Sequence, residues 1–183
     1  MTITLDGYEY VREHIRKVPD FPKPGILFLD ITTATKDKKA MQYMTDFLYE
    51  KFKDEKIDYI AGVESRGFIF GAALAYKLNA GFIPIRKPKK LPAKTIKESY
   101  SLEYGTDTIE MHEDALKEGD RVVVIDDLLA TGGTAVAACN LCRKVGAEVV
   151  SSAFIIELDP LKGREKLETN GVKVISMLHY DID

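Results

Sequence analysis

The sequence predicts an α/β fold with a mainly parallel central sheet flanked by helices. Three observations lead there. The order short apolar run, turn, helix, short apolar run occurs twice, at 58–85 and at 121–158, which is how parallel βαβ units read. The runs DYIAGV and RVVVIDD are continuous rather than alternating, as in strands covered on both faces. The length, 183 residues, suits one domain.

In chain order, Tyr8 to Val18 reads as a helix, with apolar residues among charges. FPKPG, Phe21 to Gly25, interrupts regular structure. ILFLDIT follows as a short apolar run ending near Asp30 and Thr32. Met41, Met44, Phe47, Leu48 and Phe52 recur at helical spacing and predict a helix over 39–53. DYIAGV is a strand, ESRG a turn, FIFGAALAYKL a helix and GFIPI the next strand. Arg86 to Lys97 is basic, proline-punctuated and without period, so it reads as a loop. SYSLEYGTDTIEMHE can form a hairpin about a Tyr104–Gly105 turn. RVVVIDD is a strand, LLATGGT a turn, AVAACNLCRKV a helix closed by Gly146, and EVVSSAFIIEL the last strand of this reading.

Composition narrows the function. The formal net charge is −3, from 26 basic and 29 acidic side chains, so nothing draws the chain to nucleic acid or an anionic membrane. An anion must be held by a local arrangement. The N-terminus has no apolar core of a secretory signal, and no apolar run approaches membrane-spanning length. With two cysteines and no disulfide framework, a reducing cytoplasm is the expected location.

The segment VVVIDDLLATGGT, Val122 to Thr134, carries the chemistry. A buried strand delivers Asp126 and Asp127 to its carboxyl end, where open α/β sheets bind ligands. Neighbouring carboxylates can accept from the vicinal hydroxyls of a ribose, at about 1.5–3 kcal/mol per charge-assisted hydrogen bond. Ala130, Thr131, Gly132, Gly133 and Thr134 form a small-residue turn into a helix, whose N–H groups and hydroxyls can cradle a phosphate. No Gly-Lys-Ser/Thr is present, so the turn is not a Walker loop, and without GxGxxG the dinucleotide reading is weak.

This segment resembles the phosphoribosyl pyrophosphate (PRPP) motif of type I phosphoribosyltransferases. FPKPGILFLDIT, DYIAGVESRGFIFG, IRKPKKLP, SYSLEYG and LKGREKL resemble, in the same order, segments of the adenine phosphoribosyltransferases. The resemblance implies one domain over 1–183, with an N-terminal hood at about 1–35 and a flexible catalytic hairpin loop at about 88–108. It implies ribose contacts from Asp126 and Asp127 and a 5′-phosphate site at Ala130 to Thr134. Glu64, Ser65, Arg66, Arg86, Lys87 and Lys90 would hold pyrophosphate, with a cis peptide at Glu64–Ser65. Leu27, Phe28, Leu29 and Leu128 would hold adenine, Phe28 and Leu128 from its two faces and Leu27 to Leu29 through backbone. Some family members carry arginine where this chain has Leu29. Glu103 would act as acid/base beside Arg66, and Tyr104 would cover the site. The implied partners are PRPP, adenine, AMP, pyrophosphate and a second copy of the chain. The implied cofactor is Mg²⁺, held mainly by PRPP and water near Asp126 and Asp127. Other purine phosphoribosyltransferases, a purine-sensing regulator and a generic nucleotide module are the alternatives. The FLDI and SLEYG pair favours adenine, and the negative charge disfavours a DNA-binding regulator. Cys139 and Cys142 form a CxxC without a second pair and read as core residues. His112, Glu113 and Asp114 read as a solvated strand end.

Overall fold

A computed structural model describes residues 5–102 and 105–181. A five-stranded, wholly parallel sheet forms its centre: β3 (Tyr59–Val63), β4 (Gly81–Ile85), β7 (Arg121–Leu129), β8 (Glu148–Leu158) and β9 (Val174–Tyr180). The spatial order is β4-β3-β7-β8-β9. The chain leaves β3 toward one edge and continues from β7 toward the other. The carboxyl ends of β3 and β7 therefore flank the switch point at which such sheets open a crevice.

The continuous apolar runs serve both faces. Val123 and Ile125 join the core beneath α1 (Leu5–His14), α3 (Lys38–Phe52) and α4 (Gly67–Leu78). Val122 and Val124 join the core on the other side, with α5 (Gly133–Lys144), α6 (Gly163–Thr169) and the hairpin β5 (Thr95–Leu102)–β6 (Gly105–His112). Alternate side chains of one strand thus feed two cores, which is why the run shows no polar period. Cys139 and Cys142 lie on the buried face of α5, as expected of core residues. Asp37 caps α3, accepting from the Lys39 and Ala40 amides at 3.0 and 2.8 Å.

The first helix is shorter than its periodicity predicts. It ends at His14, and Arg16–Val18 form β1, antiparallel to β2 (Phe28–Asp30). Val18 precedes Pro19, and a residue before proline is driven from helical to extended backbone. Across this ladder Asp30 accepts from Arg16 Nε at 3.0 Å and from the Thr32 amide at 2.9 Å. The Thr32 hydroxyl, Arg16 and the Thr32 amide together lower its pKa to about 2. A short helix, α2 (Thr32–Lys36), leads into α3. The Phe21–Pro22 peptide is cis, and FPKPG closes on itself through Phe21 N–H to the Ile26 carbonyl at 3.2 Å.

Two further expectations are corrected. β7 does not stop at the acidic pair; it pairs with β8 as far as Leu129, so both aspartates lie within the strand. The hairpin begins at Thr95, inside the segment expected to be loop, because β5 and β6 pair from Thr95–His112 to Leu102–Gly105. Its base is tied to the sheet at Arg86 and Glu110, which exchange backbone hydrogen bonds of 2.9 and 2.7 Å.

Candidate active site

The crevice is built from the turns after β3, β4 and β7. A cavity of about 90 Å³ is lined by Asp126, Leu128, Leu129, the run from Ala130 to Ala135, and Phe154. A second, of about 130 Å³, is lined by Val63, Glu64, Lys87, Tyr100, Ile109, Asp126 and Thr134. Asp126 and Thr134 line both, so the two cavities meet at the end of β7.

Glycine is required at the turn between β7 and α5. Gly132 has φ +76° and caps α5, and a Cβ there would stand 2.8 Å from the Gly163 carbonyl oxygen. Gly67 opens α4 hard against β7: a Cβ would meet the Ile125 carbonyl oxygen at 2.6 Å. That approach brings Arg66 beside the acidic pair.

The two aspartates are not equivalent. Asp127 is 3 % exposed, and its carboxylate accepts from Arg66 Nε at 2.5 Å. Asp126 faces the cavities, and its Oδ1 accepts from the Asp127 amide at 2.8 Å. Burial, and then the charge of Asp127, push the Asp126 carboxyl well above the usual carboxylate range. Burial works against the Arg66 charge, but the hydrogen bond to Asp127 and the charges of Asp127, Asp126 and Asp30 outweigh it and raise its pKa.

On the β3–β4 side, the Glu64–Ser65 peptide is cis. The Glu64 carboxylate is taken up by Arg86, with Nε at 3.1 Å and Nη2 at 3.3 Å, and by the Lys87 amide at 2.9 Å. Its side chain therefore braces the loop rather than facing an anion. Burial opposes the Glu64 charge, and these donors overcome it and lower its pKa. Lys87 Nζ bonds the Asp107 carboxylate, which also accepts from the Tyr100 hydroxyl at 3.1 Å. Lys90 is exposed and gives its carbonyl to Arg86 at 3.4 Å. The sequence reading could not anticipate Asp107, Tyr100 or Phe154, each of which is remote from the motif.

The β1–β2 ladder reaches the same crevice. The Phe28 ring lies edge-on to Phe21 at 5.1 Å, and the Arg66 guanidinium carbon stands 5.9 Å from its centroid. Phe28, Arg66 and Asp127 thus form a continuous line of contacts from β2 to the central sheet. Leu27 and Leu128 are partly buried against the core. The Leu29 side chain is buried at 4 % exposure, which leaves its backbone for any ligand contact. Glu103 and Tyr104 lie outside the described residues. Among the described residues, no helix is long and apolar enough to cross a membrane.

Comparison with known proteins agrees with this geometry. Residues 32–181 match the family described as phosphoribosyl transferase domain. An adenine phosphoribosyltransferase of Koribacter versatilis is 54% identical over 174 residues, covering 95% of this chain and 94% of the relative. The crystal structure of the adenine phosphoribosyltransferase of Thermoanaerobacter pseudethanolicus superposes with a TM-score of 0.90 at 50% identity, covering 94% of this chain and 99% of its own. The Saccharomyces cerevisiae enzyme, complexed with an imino-altritol bisphosphate and adenine, gives 0.89 at 39% identity, covering 96% and 100%. With the fold, the crevice at the switch point and these matches in agreement, the chain belongs to the adenine phosphoribosyltransferases of the phosphoribosyl transferase domain family.

Proposed function

We propose that this protein transfers the phosphoribosyl group of PRPP to N9 of adenine, giving AMP and pyrophosphate. One observation carries the reading: a small-residue turn at a helix start and a side bearing Lys87 open onto a single crevice that shares Asp126 and Thr134. The 5′-phosphate rests on Ala130 to Thr134. Asp126 and Asp127 hold the ribose hydroxyls. Arg66, Arg86, Lys87 and Lys90, with the backbone of Glu64 and Ser65, receive the diphosphate. Phe28 and Leu128 hold the flat base, and the backbone of Leu27 to Leu29 reads its edge.

The bond from C1′ to the diphosphate oxygen breaks, and its electron pair leaves on the diphosphate. N9 bonds to C1′ with inversion and gives up its proton, for which Glu103 is the assigned acceptor. Arg66 and Lys87 stabilise charge on the leaving oxygens, and for this they exchange Asp127 and Asp107 for the ligand. Tyr104 covers the site and limits attack by water.

The donors at the end of β7 fit Mg²⁺: all are oxygens, and one or two carboxylates suffice for a hard cation that keeps its waters and substrate phosphates. Bound with PRPP near Asp126 and Asp127, Mg²⁺ supplies charge neutralisation to the diphosphate.

The chain works as a homodimer in the cytoplasm. Supporting the dimer, α4 is apolar beyond its buried face: Ile69 is 41 % and Tyr76 89 % exposed on the helix beside the edge strand β4.

The test is turnover of PRPP and Mg²⁺ with adenine, hypoxanthine, guanine or xanthine, following nucleotide and pyrophosphate. AMP from adenine alone is expected. Turnover of a 6-oxopurine in its place would overturn the base assignment.

A further inference from the structure

The segment LKGREKL, Leu161 to Leu167, contributes no side chain to either cavity, yet it touches the phosphate turn from behind. A Cβ at Gly163 would stand 2.2 Å from the Ala130 carbonyl oxygen and 2.7 Å from Leu129 Cδ1. From the opposite side, a Cβ at Gly132 would stand 2.8 Å from the Gly163 carbonyl oxygen. The two backbones lie flush, with no room for a methyl group. At Gly163 it is space, not a left-handed conformation, that demands glycine.

Arg164 holds this contact in place. Its guanidinium grips Glu157 with both arms, Nε to Oε1 at 2.9 Å and Nη2 to Oε2 at 2.6 Å. Nη1 donates to the Val174 carbonyl at 3.1 Å and to Glu168 at 3.4 Å. Glu157 is 3 % exposed and stands opposite Leu129 in the β7–β8 register, one residue before the turn. A closed circuit therefore runs from Leu129 across the sheet to Glu157, through Arg164 to Gly163, and back onto Ala130. Glu157, Asp159 and His179 also bring possible metal ligands within 4.8 Å of one another. Arg164 occupies both Glu157 oxygens, which makes that cluster an ion-pair network.

We propose that Gly163 and Arg164 are positioning residues for the 5′-phosphate: the Arg164–Glu157 pair presses the start of α6 against Ala130 to Gly132 and holds the turn in its binding shape. This rests on the assignment of Ala130 to Thr134 to the 5′-phosphate. Neither residue touches the ligand, so their effect is on affinity for the phosphate-bearing substrate and not on the base.

The full chain would be compared with Gly163→Ala and Arg164→Lys. Lysine keeps the charge but cannot span both oxygens. Calorimetric titration with ribose 5-phosphate, initial rates over PRPP and over adenine, and Tm would be measured for each. A displacement on the order of 1 Å away from the chemistry can cost about 10²-fold. The expected result is at least an about tenfold weaker ribose 5-phosphate affinity and a matching rise in KM for PRPP, with KM for adenine unchanged. Unchanged ribose 5-phosphate affinity in folded Gly163→Ala would overturn the proposal, as would equal losses toward PRPP and adenine. If Arg164→Lys lowers Tm too far, Gly163→Ala decides alone, because it keeps the ion pair. A wrong assignment of the turn looks different: wild-type protein would not bind ribose 5-phosphate at all, and the proposal would go with it.

Discussion

On the β7 side of the crevice the lining is backbone and small side chains, from Ala130 to Thr134, fixed by Gly132 and braced by Gly163. On the β3–β4 side the lining carries Lys87 among Val63, Glu64, Tyr100 and Ile109, and the long cations around it already hold carboxylates: Arg66 with Asp127, Arg86 with Glu64, and Lys87 with Asp107. The first region is organised before a ligand arrives and loses little by binding one. The second must exchange partners, so its charges become available only as another anion replaces the carboxylates. On the proposed assignment, the 5′-phosphate, which is bound and retained, is matched to the rigid half, and the diphosphate, which must leave, to the half whose cations have somewhere to return.

The comparison breaks most visibly at the junction of the halves. Asp126→Asn/Asp127→Asn should lower kcat/KM for PRPP by about 10²–10⁴-fold, because two charge-assisted hydrogen bonds of roughly 1.5–3 kcal/mol each are weakened and Arg66 loses its partner. Initial rates over PRPP concentration check this; a fall of less than tenfold would place the ribose elsewhere.

A crossed pair of variants sharpens the contrast. Gly132→Ala forces a side chain into a left-handed position against the Gly163 carbonyl, so ribose 5-phosphate affinity should fall by about 10-fold or more. Lys87→Ala removes a cation from the diphosphate half, so kcat should fall by about tenfold while ribose 5-phosphate affinity holds. The opposite pattern in calorimetry and steady-state rates would undo the division of labour.

The smallest effect lies at the β1–β2 ladder. The Asp30 pKa is lowered from 3.8 to about 2, so its contacts with Thr32 and Arg16 stabilise the fold fully above the unfolded value and are lost as pH falls toward about 2. Thermal unfolding from neutral pH downward should show wild type losing its advantage over Asp30→Asn across that window. Parallel curves would mean that the Asp30 contacts do not contribute.

The doubly wound core was legible because buried parallel strands must be apolar without interruption, as Val122 to Ile125 are. The turn after β7 was legible for a similar reason: close backbone approach leaves small residues in a row. β1 was not legible, because Arg16 and Lys17 carry no strand period and only Pro19 hints that the helix has ended. The partners of the site cations were hidden for a different reason. Arg66 meets Asp127 61 residues away, and Lys87 meets Asp107 20 residues away on β6, so only the folded topology brings them together. Gly163 carried no signal of its own, because its contact with Ala130 depends on how α6 lands on the sheet.

The buried face of α5 has a practical consequence. Burial pushes the Cys139 and Cys142 thiols up to about 12, so at neutral pH neither presents a thiolate to an alkylating reagent. These are the chain's two cysteines. A cysteine introduced at the exposed Thr106 of the hairpin would therefore take a spin or fluorescent label selectively, against an unmodified background. Such a probe would show whether the hairpin shifts when ligands are added, in a protein that keeps its natural core.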